Sequence, residues 1–244
     1  MDADPDKLVF LHIPKTAGTS FRALVEPQFE PGTFLHLDPP ITREVHHRIH
    51  PLLPGMRALF GHLYFGIDAN LGFRAEYITF LRDPVDRVVS WWKHQQTHAH
   101  SQYYDQIRNG LSLRALIHTD RDQQVNNLMT RIFIGTTLPG MLDGSVGVIS
   151  EPELLDVALQ NASERFVFVG FVEEFALSVN LLFERFGWTR PDSLPFLNRL
   201  VSCQADVDDE TLELVRHYNR LDSLLYEKLR SRFQEVARRA PPSA

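Results

Sequence analysis

Leu8-Val-Phe-Leu-His-Ile13 is a nearly unbroken apolar run, the pattern of a strand covered on both faces. Arg57-Ala-Leu-Phe60, Tyr77-Ile-Thr-Phe-Leu81 and Phe166-Val-Phe-Val169 repeat it, which makes four candidate strands. Between them the apolar spacing changes to three and four. A helix is expected from Gly18, with Phe21, Leu24 and Val25 on one side. Asp83-Pro84 reads as an N-cap acid followed by proline at the first helical position, and Val85, Val88, Val89 and Trp92 recur behind it. Further helices are expected at about 112–118, 122–133 and 152–162, from Glu173 to Phe186, and over about 208–237 as one or two segments. The proline-rich stretch 27–56 is expected to be irregular, with one short helix around 41–49, and residues 94–110 are polar and rich in His, Gln and Tyr. Strands alternating with helices predict an α/β fold, a central mainly parallel sheet flanked by helices. No linker divides the chain, so residues 1–244 are expected to form a single domain with an ordered core of about 7–237.

Composition narrows the function without naming it. A net charge of −6 gives no global preference for nucleic acid or an anionic membrane, although a local basic cleft remains compatible with that average. The single cysteine, Cys203, allows no intramolecular disulfide, which fits a reducing compartment. Met1 to Lys7 is acidic and lacks the basic start of a signal peptide, and no apolar stretch is long enough to span a bilayer. The expectation is a cytoplasmic protein with no membrane span and no nucleic-acid partner.

Candidate chemistry concentrates where the first strand meets the first helix, in His12-Ile-Pro-Lys15-Thr16-Ala17-Gly18-Thr19-Ser20. Backbone N–H groups at a helix start have no intrahelical partner, and the helix dipole places partial positive charge there. Gly18 admits close approach of a phosphate, Lys15 adds a full charge, and Thr16, Thr19 and Ser20 supply hydroxyl donors. The P-loop of nucleoside triphosphatases, G-x-x-x-x-G-K-[ST], places lysine after its second glycine. Here Lys15 precedes the glycine, and the shorter loop suits one phosphate rather than a triphosphate chain.

A second anion site is expected at 82–90. Arg82 ends the third predicted strand, on the sheet edge where ligands of α/β proteins gather, and Ser90 stands about two turns into the next helix. Guanidinium and hydroxyl together suit a second phosphate. Arg87 is a competing candidate, and either arginine alternatively pairs with Asp83 or Asp86 as a structural ion pair. Two separated phosphate sites describe a mononucleotide carrying 5′- and 3′-phosphates better than they describe ATP.

The segments 12–20 and Leu81-Arg-Asp-Pro-Val-Asp-Arg-Val-Val-Ser-Trp-Trp92 resemble the 5′- and 3′-phosphate motifs of sulfotransferases that use 3′-phosphoadenosine 5′-phosphosulfate (PAPS). The branch containing heparan sulfate 2-O-sulfotransferase and its bacterial relatives is similar, and weaker likeness extends to 168–175 and 219–226. The resemblance implies the sulfotransferase fold with a P-loop-like nucleotide site, PAPS as donor and a hydroxyl-bearing acceptor. It implies that Lys15, Thr16, Ala17, Gly18, Thr19, Ser20, Arg82 and Ser90 bind the nucleotide, that Lys15 stabilises the leaving phosphate, and that His62 of Phe60-Gly-His62 is the general base. His12 is expected to pack or to support the site from behind.

The remaining histidines invite a metal reading at His46, His47 and His50 or at His94, His98 and His100, yet no zinc-type pattern of Cys or acidic residues accompanies them, and no metal is expected. Acceptor contacts are weakly marked. Residues 94–110, Asn127 and Arg131, and the segment 198–202 are candidates to line the cleft. An atypical nucleotide kinase and a non-catalytic nucleotide-binding protein remain the alternative functions.

Overall fold

The computed structural model describes residues 7–37, 50–119, 123–137, 151–190, 193–194, 204 and 207–239. Five parallel strands form one sheet in the order β2-β3-β1-β4-β5: β1 Lys7–Leu11, β2 Phe34–Leu37, β3 Ala58–Gly61, β4 Ala75–Leu81 and β5 Phe166–Phe171. The helices are α1 Gly18–Val25, α2 Ile67–Leu71, α3 Pro84–Thr97, α4 Tyr104–Arg108, α5 Leu113–His118, α6 Leu128–Ile134, α7 Glu151–Arg165, α8 Phe175–Phe186, α9 Asp209–Tyr218 and α10 Arg220–Arg239. The expected α/β architecture of a parallel sheet flanked by helices is present. None of the described helices is long and apolar enough to cross a membrane.

Central β1 is buried along its whole length, which is why its sequence is continuously apolar rather than alternating. Even Lys7 is buried, its Nζ donating to the Met56 carbonyl at 2.8 Å. Successive residues still serve opposite faces. Leu8 and Phe10 join Phe60, Phe80, Phe21 of α1 and Val179 and Phe183 of α8, while Val9 and Leu11 join Tyr77, Leu81, Phe133 of α6, Ala158 of α7 and Leu225 of α10. A third cluster packs α3 against α5 and α9 through Val88, Trp92, Ile117 and Val215.

Two expectations need correction. The proline-rich stretch is not wholly irregular: β2 lies in it, paired through Leu37↔Gly61. It is an edge strand of four residues with only Leu37 buried, too short and too little covered to imprint a period. The short helix expected around 41–49 falls outside the described residues. The helix expected over 122–133 is broken: a 3₁₀ turn at Gln123–Val125 is separated from α6 by Asn127, whose φ of 47° is left-handed. The polar stretch 94–110 contains the last turn of α3 and the whole of α4.

Candidate active site

Leu11 pairs with Gly61 of β3 on one side and with Thr79 of β4 on the other. The chain leaves β1 toward β2 and leaves β4 toward β5, so the strand order reverses between β1 and β4. That reversal opens a crevice at the carboxyl ends of these two strands, where open α/β sheets bind ligands. Loop 12–17 and Arg82 flank it.

The loop turns through two left-handed non-glycine residues, Lys15 at φ 69° and Ala17 at φ 62°. Each such conformation costs about 1 kcal/mol, and strain of this kind clusters at ligand sites. Thr16 closes the turn: its hydroxyl donates to the Ile13 carbonyl at 2.8 Å, and its backbone N–H reaches the same oxygen at 3.3 Å. The Thr16 hydroxyl therefore faces inward, shaping the loop, whereas Thr19 is exposed and Ser20 half-exposed. Helix α1 makes its first intrahelical bond from Phe21 N–H to the Ala17 carbonyl at 2.9 Å and has no acidic residue in its first turn. Its opening N–H groups face the crevice without an internal carboxylate to neutralise them.

Gly18 has a second duty that its sequence context did not suggest. A Cβ built there would lie 1.9 Å from the His12 ring. The missing side chain thus makes room for an imidazole as well as for a phosphate.

Arg82 is buried at the end of β4 and its Nη1 donates to the Lys15 carbonyl at 3.4 Å. The two expected anion sites are therefore joined directly. Asp83 caps α3 by accepting from Asp86 N–H at 2.9 Å, with Pro84 at the first helical position. Ser90 is half-buried on α3, roughly 9 Å along the axis from Pro84 at 1.5 Å per residue. Arg87 is excluded as the phosphate ligand. It is fully buried, donates from Nη2 to the Gln124 carbonyl at 2.5 Å and faces the buried Asp222.

His62 follows Gly61 at the end of β3, and its Nδ1 lies 2.7 Å from the His12 carbonyl oxygen. A carbonyl only accepts, so Nδ1 carries a proton, and in the neutral ring the lone pair is then on Nε2. The His12 and His62 rings stack at 4.3 Å. Burial pushes the His12 imidazole down to about 3, helped by His62, His36, Arg22 and Lys15. Arg22 of α1 in turn hydrogen-bonds His36 of β2, 3.1 Å from Nε2. Sequence reasoning missed Arg22 and His36, because nothing in their spacing joins a helix to an unforeseen edge strand.

A stability effect follows. Above about pH 6.5 the His12 ring is neutral in both the folded and the unfolded chain and contributes nothing. Below it the unfolded chain takes up a proton that the folded chain refuses, so stability falls as pH drops from 6.5 toward 3. Denaturant melts across that range should show a smaller loss in His12→Phe than in the wild type.

His94, one helical turn beyond Ser90, is half-buried; burial lowers its basicity first, then the charges of Lys15 and His98. Its ring centre is 3.7 Å from that of His98. Among the described residues no group of three or more His, Cys, Asp or Glu is arranged to hold a metal, and His46 and His47 lie outside them.

Asn127 and Arg131 do not turn toward the crevice. Asn127 Oδ1 accepts from Leu221 N–H at 3.0 Å and Asp222 N–H at 3.2 Å, capping α10, and Arg131 Nε donates to the Asn126 carbonyl at 3.0 Å. Segment 198–202 lies outside the described residues. The two weaker motifs meet at Glu173, which accepts from the Asp83 N–H at 2.7 Å and from the Tyr226 hydroxyl at 2.9 Å. They brace the Arg82–Asp83 corner from behind.

Mouse (Mus musculus) heparan-sulfate 6-O-sulfotransferase 3 is 25% identical over 94% of this chain and 58% of its own length. Chicken (Gallus gallus) heparan-sulfate 6-O-sulfotransferase 2 is 25% identical over 93% of the chain and 67% of its own length. The chain thus spans little more than half of the first of these relatives. Both are 6-O-sulfotransferases, whereas the motifs resembled the branch containing the 2-O enzyme. A solved structure, mouse sulfotransferase SULT7A1 complexed with PAP, covers 92% of this chain and 67% of its own at 14% identity and a TM-score of 0.43. Residues 1–134, more than half of the chain and including both phosphate-site motifs, match the sulfotransferase family, and the chain belongs to it.

Proposed function

We propose that the protein transfers the sulfuryl group of PAPS to a hydroxyl of a glycan acceptor. The observation that carries the reading is the convergence at one sheet edge of the strained loop at Lys15, the buried Arg82 joined to it, and a His62 whose Nε2 is left with its lone pair. The 5′-phosphate is held by Lys15, by the N–H groups of Ala17, Gly18, Thr19 and Ser20 and by the hydroxyls of Thr19 and Ser20, with Thr16 shaping the loop from within, and the 3′-phosphate is held by Arg82 and Ser90. The acceptor oxygen attacks sulfur in line as the bond from sulfur to the bridging phosphate oxygen breaks. The acceptor proton passes to His62 Nε2, and Lys15 stabilises the charge that develops on the departing phosphate. The products are a sulfate ester and 3′-phosphoadenosine 5′-phosphate (PAP). A glycan acceptor is taken from the named substrates of the relatives.

The test is incubation with PAPS and heparan-type oligosaccharides, with mass spectrometry for products heavier by one sulfate group. Lys15→Ala and Arg82→Ala should each weaken PAP binding by about 10- to 100-fold, the worth of one charged hydrogen-bonding group. Calorimetric titration measures this. A melting temperature raised by ATP with magnesium but not by PAP would instead favour a nucleotide kinase. Tight PAP binding with no sulfated product from any acceptor would leave a binding protein.

A further inference from the structure

His12 sits in the phosphate-loop motif, yet its place in the molecule concerns the other half of the reaction. Its backbone is held on both sides: its N–H donates to the Gly61 carbonyl at 2.8 Å, and its carbonyl accepts from His62 Nδ1 at 2.7 Å. Its ring lies between two neighbours. On one side is the bare Cα of Gly18, where a Cβ would come within 1.9 Å, and on the other the His62 ring stacks at 4.3 Å. Phe60, at 5.4 Å between ring centres, bounds it further. The ring is a spacer wedged between the first residue of α1 and the imidazole that follows β3.

We infer that His12 is a positioning residue for His62, its carbonyl selecting the Nδ1–H form and its wedged ring fixing the orientation of the imidazole relative to the phosphate loop. The inference rests on the reading of His62 as the base. Its physical basis is separate from that reading. An imidazole held by one hydrogen bond still rotates about that bond, and a flat neighbour pressed against one face removes the freedom. The neighbour must also be uncharged. Lys15, Arg22, His36 and His62 surround the His12 ring, and a proton there would set a second positive charge against an imidazole about to accept one. The same ring connects donor loop and base mechanically, so a shift of α1 at Gly18 is felt at His62 without any contact between them.

A flat neutral ring is the requirement, so His12→Phe should keep the function that His12→Ala loses. With PAPS and heparan-type oligosaccharides, His12→Ala is expected to lower kcat by about tenfold or more, the scale of misplacement effects, with the Kd for PAP within about threefold of wild type. His12→Phe should recover most of that loss. Relaxation NMR of the His62 ring gives a readout independent of turnover: a rigid imidazole in the wild type and in His12→Phe, and a mobile one in His12→Ala, where the backbone carbonyl remains but the flat neighbour is gone. Turnover of His12→Ala within twofold of wild type would overturn the inference. So would an equal loss of PAP binding and turnover, or a His62 ring as rigid in His12→Ala as in the wild type. If the wild type forms no sulfated product, the sulfotransferase reading fails, and the ring-mobility measurement alone still decides whether His12 positions His62.

Discussion

His62→Ala is expected to reduce sulfuryl transfer by about 10²–10⁴-fold, the usual worth of a general base, while PAP binds within about threefold of wild type. The split follows from where the ring sits. His62 follows β3, whereas the proposed nucleotide-holding groups belong to the loop after β1 and to the corner after β4. Among the described residues its hydrogen bond goes to the His12 backbone carbonyl, through Nδ1. Truncation therefore removes a proton acceptor without removing a phosphate ligand. His62→Gln provides a control, since an amide can hold the His12 carbonyl yet cannot take a proton at neutral pH. It should be as inactive as the alanine. Single-turnover assays with saturating PAPS, paired with PAP titration, separate the two effects. Wild-type turnover in either variant would remove His62 from the mechanism.

Asp222→Ala is expected to destabilise the fold by about 3–5 kcal/mol, the lower part of the range for three buried donors left unsatisfied at about 1–3 kcal/mol each. Asp222 is fully buried and accepts from Met129 N–H at 3.0 Å and from the N–H and hydroxyl of Thr130 at 2.7 Å each. Burial pushes its carboxyl up, against the pull of Arg87 and of these hydrogen bonds. Alanine would strand three donors at the start of α6 and remove a carboxyl group whose titration feels the buried Arg87. For a chain of this size the loss corresponds to a fall in Tm of roughly 6–20 °C. Asp222→Asn keeps an acceptor and should lose less. The junction also bears on the site, because Arg87 lies one turn before Ser90 on α3. A loss below about 1 kcal/mol in urea melts of the alanine variant would show that these donors find other acceptors.

How much of this was legible depended on how local the cause was. The strand at 8–11, the capped helix at Asp83-Pro84 and the helices of the C-terminal half are stated by short-range patterns, and the structure places them within a few residues of expectation. The phosphate loop was legible for the same reason, since Lys15, Gly18 and the hydroxyls lie within six residues. Strand β2 was not, because an edge strand with one buried residue carries no period. Arg82 and Arg87 carry the same charge five residues apart, and only packing separates them. One ends a strand beside Lys15, while the other turns inward to Gln124 and Asp222.

By itself, then, the sequence determined the α/β order of elements, the candidate loop at 12–20 and the family, because each is written in contiguous residues whose backbone preferences and periodicity act locally. The tertiary structure alone decided which arginine sits beside Lys15, that Asn127 caps a helix, and that the glycine of the loop shelters the His12 ring. The first two turn on contacts between residues tens of positions apart, and the third on a six-residue loop folding back on itself. The register Leu11↔Gly61 sets His12 beside His62, and no feature of either residue's neighbourhood in the chain records that meeting.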